Sequence, residues 1–243
     1  MKFAVVIPAR YQSSRFPGKP LVSILGKPMI QRVWEQCCQA VDASQVYVAT
    51  DSDKIADAVK RFGGQVVMTS ENCLTGTDRL AEANLTLDCD FLVNVQGDEP
   101  VIDPENIKKV IRLYQETGNI TNAYSEIKTE EEFRSFTVPK TVVSKGGQLL
   151  YMSRSPIPVT KDNVFKKAYK QVCVYAFGRD DLTFFSSMKE KTPLEQIEDI
   201  EILRFVESDI PVSMVEVPSG TLAVDVPEDV NKVEIFLKYE KKH

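Results

Sequence analysis

The stretch that decides the fold is Lys2-Phe3-Ala4-Val5-Val6-Ile7-Pro8-Ala9-Arg10-Tyr11-Gln12-Ser13-Ser14-Arg15-Phe16-Pro17-Gly18-Lys19-Pro20. Residues 3–7 form an unbroken apolar run ended by proline, as expected of a strand buried on both faces of a parallel sheet. The chain then turns polar and basic. Arg10 and Arg15 carry planar forks suited to phosphate oxygens, and Lys19 adds a point charge. Small hydroxyl residues lie between them, and Gly18 permits a close backbone approach. The GxxxxGK[ST] spacing is absent, so this is not a Walker A loop. Ligands of open α/β sheets bind beyond the carboxyl ends of the strands, which is where this loop falls.

Outward from that stretch the periodicity alternates. Met29, Ile30, Val33, Trp34, Cys37 and Val41 recur at helical spacing, with Pro28 suited to a first turn. Strand-like runs follow at 45–50, 65–68 and 90–96, and helical patterns at 53–61, 77–87 and 104–117, the first stopped by Gly63-Gly64. This predicts an α/β fold: a predominantly parallel sheet with helices on both faces. Polar clusters end three of the strands, at 9–19, 50–51 and 96–98. Residues 137–143 and 148–152 flank Lys145-Gly146-Gly147 as a hairpin, and residues 130–170 read as an inserted lobe and dimer contact. A helix over 193–207, a strand over 211–217 and a helix over 227–239 close what is read as one domain spanning 1–243.

Composition narrows the chemistry. The 243 residues carry a net charge of -5, which disfavours non-specific nucleic-acid binding. No apolar run approaches the roughly 20 residues of a membrane span. The N-terminal run is too short for a signal peptide, and a cytoplasmic location is expected. Five cysteines without CxxC spacing suggest neither a zinc site nor a disulfide framework. The one histidine, His243, is the last residue, which removes Ser-His-Asp and Cys-His arrangements. Chemistry falls to carboxylates, Lys, Arg and oxygen-held metal ions. The missing GxGxxG after the first strand disfavours a dinucleotide-binding domain.

The loop from Pro8 to Leu21, followed by Gly26-Lys27-Pro28-Met29-Ile30-Gln31, resembles the N-terminal signature of the 3-deoxy-manno-octulosonate (Kdo) cytidylyltransferases, the CMP-Kdo synthetases. The resemblance extends along nearly the whole chain. It includes Tyr47-Val48-Ala49-Thr50-Asp51, Ser70 with Thr75-Gly76-Thr77-Asp78-Arg79, Asn94-Val95-Gln96-Gly97-Asp98-Glu99-Pro100, Ser153 to Pro158, Pro193-Leu194-Glu195 and Ala223 to Asp229. It implies a nucleotide-diphospho-sugar transferase (Rossmann-like) fold, usually a homodimer, using CTP and Mg²⁺. The reaction implied is transfer of CMP to Kdo or a related 3-deoxy-2-keto acid sugar, including modified forms such as an 8-amino sugar, for lipopolysaccharide or capsule synthesis. A same-fold enzyme for a sialic-acid-like sugar and an inactive CTP-binding paralogue are the alternatives.

Carried over residue by residue, the resemblance puts Pro8, Ala9, Arg10, Arg15, Lys19, Ser70, Thr77, Arg79 and Gln96 beside the nucleotide. It puts Gln96, Arg154, Gln171, Tyr175, Glu198 and Glu201 beside the sugar, and Asp98 and Asp225 on the metal. Arg10, Lys19, Asp98 and Asp225 are then the catalytic set. Whether Asp225 ligates directly or through water is left open. Without the resemblance, Glu195, Glu198 and Glu201 read as one face of a helix, at i, i+3 and i+6. Two positions depart from the family pattern: Gln171 replaces a usual histidine and Ile202 a usual glutamine. Both are expected on the sugar side, so the sugar half is expected to be altered while the nucleotide half is intact.

Overall fold

The structure, a computed structural model, describes residues 1–12, 16–218 and 221–240. Its strands are β1 (Phe3–Ala9), β2 (Ser23–Ile24), β3 (Lys27–Pro28), β4 (Val46–Thr50), β5 (Gln65–Met68), β6 (Phe91–Val95), β7 (Ile120–Glu126), β8 (Lys140–Val143), β9 (Leu149–Ser153), β10 (Tyr169–Gly178) and β11 (Val212–Glu216). Its α-helices are α1 (Met29–Ala40), α2 (Asp53–Arg61), α3 (Gly76–Leu87), α4 (Pro104–Thr117), α5 (Glu130–Arg134), α6 (Arg179–Ser187), α7 (Pro193–Glu198), α8 (Leu203–Val206) and α9 (Pro227–Glu240).

The main sheet runs β11-β7-β10-β6-β1-β4-β5. β1 is central and pairs in parallel with both β4 and β6. Its alternation explains the unbroken apolar run. Val5, Ile7 and Ala9 enter a cluster with Ile30, Val33 and Cys37 of α1 and Ile107 and Val110 of α4. Ala4 and Val6 enter a second cluster on the other face, with Leu80 and Ala83 of α3 and Leu182 and Phe185 of α6. Burying each such aliphatic side chain contributes about 1.5–3 kcal/mol. The sheet is therefore a middle layer between two helical layers.

Local chemistry sets the helix ends near the site. Thr75 and Asp78 form a reciprocal capping box that starts α3 at the cleft floor. Asp103 caps α4, Pro104 takes its first position, and Gly118 ends it with φ 68°. A third, smaller cluster joins Ile24, Met29 and Val101 to Val224 and to Val233 of α9. That cluster brings the segment before α9 back to the carboxyl end of β1.

The expected sheet is mostly parallel, and the observed one contains a long antiparallel strand. β10 runs against both β6 and β7. Its lower half mixes Lys170, Gln171 and Cys173 with Val172 and Val174, and a register shift between Val172 and Tyr175 breaks the alternation that would announce a strand. β8 and β9 form the hairpin, and β8 adds to the sheet through β10. The helix expected over 193–207 is two short helices. Asp199 sits at φ 51°, and Glu207 folds back to accept from the amides of Leu194 and Glu195. Glu195, Glu198 and Glu201 therefore do not share a helical face.

Candidate active site

The cleft lies at the carboxyl ends of β1 and β6 and is lined by two walls. The first wall is the loop after β1, the turn after β6 and the segment before α9. Gly18 holds φ 71° and its amide donates to the carbonyl of Tyr11, which closes the described ends of the loop. This directs Lys19 inward. Its Nζ donates to Asp98 Oδ2 at 2.8 Å and to the carbonyl of Val224 at 2.9 Å, and lies 3.8 Å from Asp225 Oδ1. A backbone bond from Val224 N to Asp98 O at 2.9 Å fixes the two acidic segments side by side. Two carboxylates 127 residues apart thus converge on one cation. At Gly97 a side-chain carbon would come within 2.8 Å of the Pro8 carbonyl, so only glycine lets this turn lie against the end of β1.

Beneath the pair, Glu99 is 4% exposed and its Oε2 has no hydrogen-bond partner. Burial, then the neighbouring Asp98 charge, push its carboxyl up to about 8. At neutral pH the Glu99 carboxyl is thus favoured in its neutral form. Among the described residues no three acidic, cysteine or histidine groups are placed to hold a metal ion. The two carboxylates that flank the Lys19 ammonium match in number the one or two that Mg²⁺ takes when phosphate oxygens and water complete its shell.

The second wall comes from the α3 start and the α7–α8 region. Glu201 accepts from the amides of Gly76 and Thr77 and from the Thr77 hydroxyl, so it caps α3 from a distant part of the chain. Burial raises its carboxyl above the usual range, against the pull of those donors. Arg79 is 3% exposed, with its guanidinium on Asp51 Oδ2 at 2.7 Å and on the Thr69 hydroxyl. It ties the ends of β4 and β5 to α3. Lys191 and Asp199 pair at 2.6 Å on this wall.

Of the residues named from sequence, Pro8, Ala9, Arg10, Lys19, Arg79, Gln96, Asp98, Glu201 and Asp225 line the cleft. Arg15 lies outside the described residues. Thr77 sits just beneath, buried against Glu201. Ser70 lies off the lining, its amide donating to Glu82 Oε1. Tyr175 is half-buried and stacks on Phe177 at 5.7 Å; burial, then Cys173, raise its phenol well above the ordinary value.

Four further positions expected on the sugar side lie off the cleft lining. Arg154 is not itself a lining residue, and its guanidinium donates to the carbonyls of Glu198, Asp199 and Phe136. Glu198 accepts from Ser153, Tyr151 and the Arg154 amide, so it latches α7 onto β9. Gln171 faces Asn122 Oδ1 at 3.3 Å, and Ile202 is 1% exposed within the core, and neither is among the residues that line the cleft. The sequence reading missed Lys191, Asp199 and the loop residues Cys73 and Leu74, which also line it. No motif marks these positions; Cys73 and Leu74 come from the segment between β5 and α3, and Lys191 and Asp199 from the two ends of α7.

A basic loop and a carboxylate pair brought together at the strand ends suit a nucleotide-dependent transferase. Residues 4–212 match the cytidylyltransferase family model, and the chain belongs to that family of nucleotidyltransferases. It is 44% identical over 246 residues to a 3-deoxy-manno-octulosonate cytidylyltransferase of Geobacter metallireducens, covering 96% of each chain. It is 43% identical to one of Syntrophotalea carbinolica, covering 98% of this chain and 99% of the relative. A solved CMP:2-keto-3-deoxy-manno-octonic acid synthetase complexed with CTP superposes with TM-score 0.91 and 37% identity, covering 99% of this chain and 100% of the other. A cytidylyltransferase from Leptospira borgpetersenii, 19% identical with TM-score 0.66 over 98% of this chain and 87% of its own, shares the fold. Among the described residues no helix is long and apolar enough to cross a membrane.

Proposed function

We propose that the protein transfers CMP from CTP to a Kdo-type 3-deoxy-2-keto acid, releasing pyrophosphate. The observation that carries this is the convergence of Lys19, Asp98 and Asp225 at the end of β1, in a chain similar over its whole length to Kdo cytidylyltransferases. In this reading Arg10, Arg15 and Lys19 hold the triphosphate. The anomeric hydroxyl of the sugar attacks the α-phosphorus, the bond to the β-phosphate oxygen breaks in line, and the hydroxyl proton passes to solvent at the open cleft. Positioning and charge neutralisation supply most of the acceleration. Asp98 and Asp225 would hold Mg²⁺, since they already flank an ammonium. When bound, such an ion neutralises phosphate charge and lowers the pKa of a nearby hydroxyl. Gln96 and Glu201 face the sugar, while Glu99, kept neutral, spares the site a third negative charge.

The test is pyrophosphate release across the four nucleoside triphosphates and a panel of keto-acid sugars, with Mg²⁺ and with chelator. CTP with a Kdo-type acid is expected to react and to stop on chelation; silence of that pair in Mg²⁺ would refute the reading. We also propose that residues 130–170 meet a second copy of the chain. Phe136, Leu150, Val159 and Val164 are exposed there. Sedimentation should give twice the chain mass, and Phe136→Asp with Leu150→Asp should halve it.

A further inference from the structure

The proposed reaction brings two anionic groups into the cleft, a triphosphate and a sugar carboxylate. The described cationic side chains lining the cleft are Arg10, Lys19, Arg79 and Lys191. Arg79 is buried on Asp51, and Lys19 lies between Asp98 and Asp225. Arg10 belongs to the loop after β1, on the triphosphate side. Arg154, expected to fork the keto-acid carboxylate, is not itself a lining residue, and its guanidinium is already engaged by three backbone carbonyls. Lys191 is the remaining cation, and it stands on the wall that also presents Glu201.

The partner of Lys191 is built to be exchanged. Its Nζ lies 2.6 Å from Asp199 Oδ1, with side chains 32% and 70% exposed. Solvent-exposed pairs of this kind contribute about 0–1 kcal/mol, so breaking one costs little. The Asp199 backbone is fixed in the left-handed region at φ 51°, and its carbonyl accepts from Arg154. The carboxylate is thus held at the cleft edge by a rigid turn while its side chain stays wet. Glu201, two residues on, points to the α3 amides, which offset its charge. A ligand carboxylate arriving here replaces one carboxylate by another on the same ammonium.

We propose that Lys191 receives the carboxylate of the sugar acid and that Asp199 holds the place until it arrives. This rests on the function proposed above. Lys191→Met should raise the KM for Kdo about ten-fold, the loss of one charged hydrogen bond, while the KM for CTP stays within about two-fold. Lys191→Arg should restore most of the loss. The Kdo carboxamide should be bound equally by wild type and Lys191→Met. Asp199→Asn, which suits the left-handed turn and removes the competing carboxylate, should lower the KM for Kdo. Calorimetric titration of Kdo into wild type and Lys191→Met reads the same difference without turnover. If wild type binds Kdo but releases no pyrophosphate, the function fails and the inference is still decided by the binding ratio. An unchanged Kdo affinity in Lys191→Met, an equal loss for the carboxamide, a shift confined to CTP, or no binding of Kdo to wild type overturns the inference.

Discussion

The two walls of the cleft use charge in opposite ways. On the sheet-end wall, Lys19, Asp98 and Asp225 meet at the cleft surface, their side chains 18–47% exposed. On the helical wall, apart from the exposed Lys191–Asp199 pair, the charged groups turn inward and hold the protein together: Arg204 with Glu195, Arg154 with Glu198, Glu201 with the start of α3. The first wall keeps charge available for a ligand, at some cost in stability. The second spends charge on fixing a segment that has little regular structure of its own. Substitutions on the first wall should therefore cost activity, and those at the inward-turned charges of the second should cost stability.

The sharpest way to break that contrast is Asp98→Asn. The change keeps side-chain shape and leaves the backbone bond from Val224 to Asp98 intact. Pyrophosphate release should fall about 10³-fold or more, about 4 kcal/mol in the barrier. The urea midpoint should barely move. Turnover within ten-fold of wild type would remove Asp98 from the catalytic set.

On the other wall the largest effect belongs to Arg204. Its guanidinium is 2% exposed, makes two bonds of 2.7 Å to Glu195, donates to the Phe185 carbonyl and lies 3.6 Å from the Phe185 ring. Arg204→Met alone strands a buried carboxylate and should cost about 3–5 kcal/mol in urea unfolding. Adding Glu195→Leu removes the stranded charge and should recover most of the loss. A single-variant cost under about 1 kcal/mol would mean that the pair does not hold this wall.

The contrast also explains what could be read from the sequence. The sheet-end wall is assembled from segments that directly follow buried strands, so Pro8 to Lys19 and Gln96 to Asp98 announce themselves by an abrupt change from apolar to polar. Asp225 does not, because it reaches the site through Val224 and the small cluster around Val101. The helical wall depends on side chains meeting backbone far away in sequence. Nothing near Glu201 tells that it caps α3, and the break at Asp199 needs a left-handed aspartate, which has no strong sequence signal. β10 was hidden for a similar reason, since its shift at Val172 disrupts a two-residue period.

A smaller effect separates structural from catalytic charge by its pH dependence. Lys140 is fully buried, donating to the carbonyls of Ser135 and Val138. Burial, then Arg154, lower its ammonium from 10.5 to about 8. Between about pH 8 and 10.5 the unfolded chain binds the proton more tightly than the folded one, so this group makes stability rise with pH there. Below pH 8 both states are protonated and the contribution is flat. Lys140→Met should lose that rise, so wild-type stability should gain on the variant from pH 8 to 10.5. Parallel stability curves would show that the ammonium is not penalised by burial.

The smallest expected effect tests the comparison from the side of the sequence. Gln171 departs from a family histidine, which reads as a change in sugar choice. In the structure its amide nitrogen donates to Asn122, its backbone amide to Pro139, and its side chain is absent from the cleft lining. Gln171→His should therefore shift relative kcat/KM across the sugar panel by less than about three-fold, below the roughly ten-fold that one methylene in contact can produce. A larger shift, confined to the sugar and absent from CTP, would mean that the start of β10 moves into the cleft when substrate binds. The helical wall would then be the less rigid of the two, and its buried charges would hold a hinge in place of a fixed surface.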